Sequence, residues 1–128
     1  MSIEFVRADV LKNVHQRLIE TYGGLPGIRD ENGLESAIAR PKNMVAYLGE
    51  ESVAALGSAL AWGIVRSHPF ADGNKRAAFA ALTIFLEING HQLVCSEVEE
   101  TAMILRAAGS EMTEEEFGVW VERSVAPQ

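Results

Sequence analysis

The stretch Arg66–Leu82, RSHPFADGNKRAAFAAL, decides how this chain folds. On one side of it, Ser52 to Val65 carries no charge; at its far end, Ala77 to Leu86 carries none either. Both runs fall short of the roughly 20 apolar residues a membrane-spanning helix needs. Both are apolar nearly all round, so they read as central helices with the rest of the chain packed outside them. The segment Ser67–Gly73 between them is then a polar joint set against the core, and function is to be sought there.

Outward from that joint, helical signals dominate. Val10, Leu11, Val14, Leu18 and Ile19 recur at helical spacing and predict a first amphipathic helix over Asp9–Tyr22, stopped by Gly23-Gly24. The turn-rich GGLPGIRDENG follows. A short helix is expected over Leu34–Ala39, ending at Arg40 because a proline disfavours helical geometry in the residue before it. Lys42–Glu50 shows no helical period and is compatible with an extended segment. Ser52 is an N-cap for the third helix, to Arg66, and the fourth runs from Asn74 to the stop signal Asn89-Gly90. HQLVC is a short link that could form one strand. Ser96 with Glu99, and Thr113 with Glu116, have the capping-box spacing and open two last helices. The expectation is one all-α domain over residues 1–128, a compact bundle of about six helices.

Composition narrows the function. The 128 residues carry a formal charge of −7, which disfavours sequence-independent binding to nucleic acid phosphates. Any bound anion needs a local cluster of positive groups. The single cysteine, Cys95, rules out an intramolecular disulfide and suits a cytoplasmic location. MSIEFVRADV has an early Glu4 and no apolar run, so no signal peptide is expected, and the protein should be soluble.

The joint itself combines several chemistries. Gly73-Asn74-Lys75-Arg76 stands where a helix begins, with unpaired N–H groups and the positive end of the dipole. Such an end takes phosphate well, and Gly73 can adopt the φ > 0 that lets backbone approach a ligand. Lys75 and Arg76 oppose the dipole, which makes sense if an anion arrives; the alternative is that both point to solvent or pair with surface carboxylates. Asp72 would repel a phosphate unless a cation bridges them, as Mg²⁺ does between carboxylates and nucleotide phosphates. Its alternative role is a helix cap or a turn with Gly73. Pro69 pushes His68 out of the preceding helix, where it is either a general base or a structural loop histidine. Phe70 reads as the apolar anchor of the loop. His15 and His91 have no partner residues nearby in sequence and read as structural or surface groups.

In order, these residues resemble the Fic/Doc family, whose signature is H-x-F-x-[DE]-[GA]-N-x-R. His68, Phe70, Asp72, Gly73, Asn74 and Arg76 all fall on it. AMP-transferring members continue as G-N-G-R-x-x-R, whereas this chain has Lys75 at the second glycine and Phe79 at the second arginine. GNKRAAF is similar to the Doc branch instead, with Ala77 where many members have Thr. YGGLPGIRD, LESAIARP and FLEINGHQL extend the likeness over about Phe5–Arg123.

The resemblance implies a Fic-fold bundle and a toxin of a toxin–antitoxin system. Its implied activity is that of a protein kinase moving the γ-phosphate of ATP to a threonine of elongation factor Tu, arresting translation. It implies that His68 is the base, Asp72 the Mg²⁺ ligand, and Gly73 and Asn74 an anion nest, Asn74 also through its side chain. Lys75 and Arg76 would neutralise the transferring phosphoryl group. Met44, Val45, Ala46 and Tyr47 would lie in a flap that docks the target as an added strand. Self-inhibited Fic proteins carry [ST]-x-x-x-E-[GN]; Ser96–Glu100 is followed by Thr101 and misses it. Inhibition is therefore expected from a separate Phd-like antitoxin with a disordered tail. Two other readings stay open, an AMP-transferring enzyme and a non-catalytic partner-binding module.

Overall fold

The computed structural model describes residues 2–128. Six helices follow one another: α1 (Ala8–Tyr22), α2 (Glu31–Leu48), α3 (Val53–Ser67), α4 (Asn74–Ile88), α5 (Glu97–Ala108) and α6 (Glu114–Ser124). Two short strands, β1 (His91–Leu93) and β2 (Val125–Pro127), pair antiparallel with Gln92 opposite Ala126. The all-α expectation holds. HQLVC does contain a strand, and its partner at residues 125–127 is an addition that three residues carry no periodic signal for.

α3 and α4 are the centre, as their uncharged sequences require. Leu56, Leu60, Ile64, Leu82, Phe85 and Leu86 are fully buried between them and their neighbours. Gly57 lets the two helices close up: a Cβ there would meet Leu82 Cδ1 at 3.1 Å and Phe85 Cδ1 at 3.2 Å. On the outer side, Gly63 faces α2, where a Cβ would stand 3.1 Å from Ala37 Cα.

The helix ends follow their caps. Asp30, Ser52, Ser96 and Thr113 each accept a backbone N–H with the side chain. The Thr113–Glu116 capping box is complete. That of Ser96 is half made, because Glu99 instead accepts the indole N–H of Trp120 at 2.8 Å. At the far end of α4, Asn89 exchanges hydrogen bonds with Glu4 and also donates to Phe85 O, tying the N-terminal segment down.

α2 departs from expectation. It does not end at Arg40 but runs 18 residues with Pro41 inside it. An interior proline costs a helix about 3 kcal/mol, yet tertiary contacts hold this one. Pro41 is buried, and Arg40 is fixed from two sides, donating to Ala59 O at 2.8 Å and pairing with Glu114. The apolar stripe Leu34, Ala37, Ile38, Pro41 continues into Met44 and Val45 at the same period. Residues Met44–Tyr47 are thus the last turns of a helix and not an extended segment. Gly49 in the left-handed region closes it, with Gly49 N–H donating to Val45 O and Glu50 N–H to Met44 O.

Candidate functional site at the joint of α3 and α4

α3 stops at Ser67. His68 takes φ 48°, ψ 57°, the left-handed conformation that a non-glycine residue seldom adopts. Its ring is exposed and makes no hydrogen bond among the described residues. The negative end of α3 is capped by Arg29, whose Nε donates to His68 O and whose Nη2 donates to Ser67 O, both at 3.0 Å.

The segment 23–30 between α1 and α2 lies along the joint. Pro69 O accepts from Arg29 N–H at 2.8 Å and Asp30 N–H at 2.9 Å, Ala71 N–H donates to Gly27 O, and Ile28 bridges Phe70. Phe70 is buried, as an anchor should be. Asn74 closes the loop on itself: Phe70 N–H donates to Asn74 Oδ1 at 2.9 Å, and Asn74 Nδ2 donates to Phe70 O at 3.0 Å. The carboxamide of Asn74 is therefore turned to its own loop. The backbone N–H groups behind it are what the helix end offers a ligand.

α1 supplies one face to the joint through His15, Ile19 and Tyr22. His15 is buried, stacks on Phe70 with ring centroids 4.0 Å apart, and donates from Nε2 to Asp72 O at 2.7 Å. Ile19 Cδ1 lies 3.5 Å from where a Cβ on Gly73 would stand. Tyr22 holds the Arg76 guanidinium 4.2 Å above its ring, a cation–π contact.

Asp72 is exposed. Its Oδ2 accepts from Leu25 N–H at 3.2 Å and its Oδ1 from Gly73 N–H at 2.9 Å. The Leu25 and Gly73 N–H groups hold the carboxyl below its ordinary value, with smaller help from His15 and Arg76, so it is an anion at neutral pH. Gly24 stands at φ +112°, a backbone conformation that side-chain-bearing residues rarely adopt, and a Cβ there would push on the Asp72 carboxylate, 2.7 Å from Oδ2. Among the described residues no group of three or more His, Cys, Asp or Glu could hold a metal unaided. A cation at Asp72 would need oxygens from a phosphate and from water, the donor set Mg²⁺ takes.

α4 begins with Gly73 at φ 70° as its N-cap. It alone of the six helices has neither a side-chain cap bond nor an acidic residue in its first turn. Lys75 and Arg76 are exposed, and among the described residues neither has a carboxylate oxygen within 4.0 Å. Pairing with surface carboxylates does not explain them. His68, Phe70, Asp72, Gly73, Asn74, Lys75 and Arg76 are brought together.

Met44, Val45, Ala46 and Tyr47 are not. α2 starts at Glu31, directly after the contact with Pro69, and at about 1.5 Å per residue these four stand roughly 20 Å further along. The segment lying over the joint is 23–30. Arg29 and His15 were both missed. Arg29 sits in a stretch read only as a turn, but the spacing of His15, Ile19 and Tyr22 places them on one helical face, a signal the sequence does carry. One concavity is lined by Val94, Met103, Met112 and Trp120; another, lined by Gly33, Ala37, Trp62 and Gly63, reaches Ser67 at the edge of the joint.

A model of the Fic/DOC family matches residues 5–86, which takes in α1 to α3 and α4 as far as Leu86 and leaves α5 and α6 outside it. The chain is similar to the protein kinase Doc of Escherichia phage P1, 35% identical over 80 residues, covering 62% of this chain and 64% of that protein. It is also similar to the toxin Doc of Mycolicibacterium smegmatis, 41% identical over 75 residues, covering 56% of each. The chain thus spans under two thirds of the length of these curated relatives. In fold it is similar to the crystal structure of BepC, a VirB-translocated effector of Bartonella tribocorum with bound AMPPNP. That likeness has a TM-score of 0.51 at 15% identity and covers 74% of this chain and 49% of that one. No helix among the described residues is long and apolar enough to cross a membrane. The motif around His68, the arrangement of α1 to α4 and these matches agree: the chain belongs to the Fic/Doc family.

Proposed function

We propose that this protein is the toxin of a toxin–antitoxin pair and an ATP-dependent protein kinase of the Doc type. It would move the γ-phosphate to a threonine hydroxyl of a translation factor, elongation factor Tu. The observation that carries the reading is the start of α4, uncapped, free of acidic residues and flanked by Lys75 and Arg76, neither of which has a carboxylate partner among the described residues. Lys75 stands where AMP-transferring relatives have glycine. The relatives' names, protein kinase Doc and toxin Doc, support the same reading.

The chemistry is a direct displacement. His68, exposed and unbonded at the ring, takes the proton of the threonine hydroxyl. The threonine oxygen bonds to the γ-phosphorus as the bond to the β-bridging oxygen breaks, and ADP leaves. The N–H groups of Asn74, Lys75 and Arg76 hold phosphate oxygens, and the two side-chain cations offset the charge of the transferring group. Asp72 would hold Mg²⁺, which when bound neutralises phosphate charge. The target would approach over segment 23–30, and a Phd-like antitoxin tail would cover the same surface.

ATP labelled at the γ or the α phosphate tests this with purified elongation factor Tu as acceptor. Label should pass from the γ position only, and His68→Ala should abolish transfer and toxicity together. Transfer of the α label alone would overturn the kinase reading in favour of AMP transfer. Undiminished toxicity of His68→Ala would point to harm by binding alone.

A further inference from the structure

His15 belongs to no part of the chemistry just described, yet it is the most deeply buried ionisable side chain near the joint, 3% exposed. Its two contacts are of different kinds. The ring lies flat on Phe70, 9° from parallel, and Nε2 donates to the carbonyl of Asp72.

That carbonyl shares one rigid peptide plane with the N–H of Gly73. The Gly73 N–H in turn donates to Asp72 Oδ1. The plane is thus gripped at both ends, by His15 at the oxygen and by the Asp72 carboxylate at the nitrogen. It is also a plane with little steric hindrance to turning over. Gly73 has no Cβ, so φ of either sign is open to it, and the unit preceding a glycine can flip at little steric cost. A flip would carry the Gly73 N–H away from Oδ1, release the carboxylate and re-aim the first turn of α4.

We infer that His15 is a positioning residue: its Nε2–H locks the Asp72–Gly73 peptide in the one orientation that sets both the Asp72 carboxylate and the anion-binding start of α4. Its consequence for ATP rests on the kinase reading above; the lock itself does not. His15 is the right residue type because the flat ring fills the space over Phe70 while its edge still reaches the carbonyl. Leaving that carbonyl without its donor, against the buried edge of residue 15, would favour the flipped peptide.

Two substitutions separate the contacts. His15→Phe keeps the stack and loses the donor; His15→Gln places an amide N–H near Nε2 and loses the stack. With γ-labelled ATP, His15→Phe should raise the KM for ATP about tenfold, the scale of one hydrogen bond to a buried group, with kcat little changed. His15→Gln should restore most of the loss even if it melts earlier than His15→Phe. A purely structural role would make activity follow thermal stability in both. A second measurement needs neither activity nor substitution. In the intact protein, ¹⁵N spectra of the imidazole should show Nε2 protonated and the Gly73 amide protected from exchange; an unprotonated Nε2 overturns the inference, since it cannot donate to a carbonyl. If the wild-type protein transfers no phosphate the kinase reading fails, and the imidazole and Gly73 signals still decide the lock. Transfer by the wild type with an unchanged KM in folded His15→Phe would sink the lock's role in catalysis and leave the kinase standing.

Discussion

Lys75 stands in the first turn of α4, exposed, with no carboxylate partner among the described residues. A cation so placed opposes the dipole and loses a few tenths of a kcal/mol to about 1 kcal/mol unless an anion is present. Under the proposed kinase reading, Lys75→Gly should therefore leave the fold intact while cutting phosphate transfer at least tenfold. Steady-state transfer from γ-labelled ATP measures it, and full activity would remove the role given to Lys75. Asp72 carries a pH signature. Its carboxyl lies below the ordinary 3.8, first through Leu25 N–H and then through Gly73 N–H. A carboxyl lowered on folding contributes stability that is whole above its unfolded value and is lost as pH falls through the folded one. The amide signals of Leu25 and Gly73 should thus move together as pH falls through the folded value, below the ordinary carboxylate range, and hold steady at neutral pH. Asp72→Asn should abolish that step. The motif residues were legible because their types in that order are rare. His15 was not, because a lone histidine in an amphipathic helix has a core reading just as natural, and only the fold brings it to Asp72.

The helices whose boundaries the sequence foretold are those with local punctuation. Ser52, Thr113 and Asn89-Gly90 each act within a few residues of themselves. In α2 two local rules, proline as a stop and the restriction on the residue before it, are overridden by contacts distant in sequence. Arg40 bonds Ala59 and Glu114, and neither is visible from position 40. The stripe of Leu34, Ile38 and Pro41 reaches Val45 only when followed across the proline; residues 42–50 by themselves show no period, and packing carries the helix through. The close approach of α2 to α3 rests on Gly63. Gly63→Val would press on Ala37 Cα and Cβ and on Arg40 Cδ, all 3.1 Å from the new Cβ. Overpacking of this kind costs about 1–3 kcal/mol. Urea unfolding should show that loss in the midpoint with an unchanged slope; an unshifted midpoint would mean α2 is free to slide away from α3.

Across the molecule, charge is segregated along the chain. Up to Arg76, nine cations balance nine carboxylates; beyond it, two cations meet nine carboxylates, so the whole formal −7 belongs to residues 77–128. The part bearing the joint is thereby left neutral enough to admit a polyanion, while α5 and α6 repel themselves. Glu100 feels it only second: burial first and Glu97 second raise its carboxyl from the ordinary 4.5, so its protonation as pH falls adds stability, opposite in sign to Asp72. Self-repulsion is long-ranged and screened over about 10 Å at 0.1 M salt, whereas the three ion pairs among the described residues lie within 2.6–2.8 Å. Two of the nine carboxylates, Glu87 and Glu122, sit exposed in the last turns of α4 and α6, where the dipole also disfavours them. The thermal midpoint should therefore rise as NaCl increases from about 10 mM to about 200 mM, the range over which screening closes in. Glu87→Gln with Glu122→Gln should raise the low-salt midpoint and flatten that dependence, with phosphate transfer unchanged because neither residue approaches the joint. A midpoint that falls with added salt would mean that Arg7–Asp9, Lys12–Glu31 and Arg40–Glu114 outweigh the repulsion, and that the acidic half is held together by its core alone.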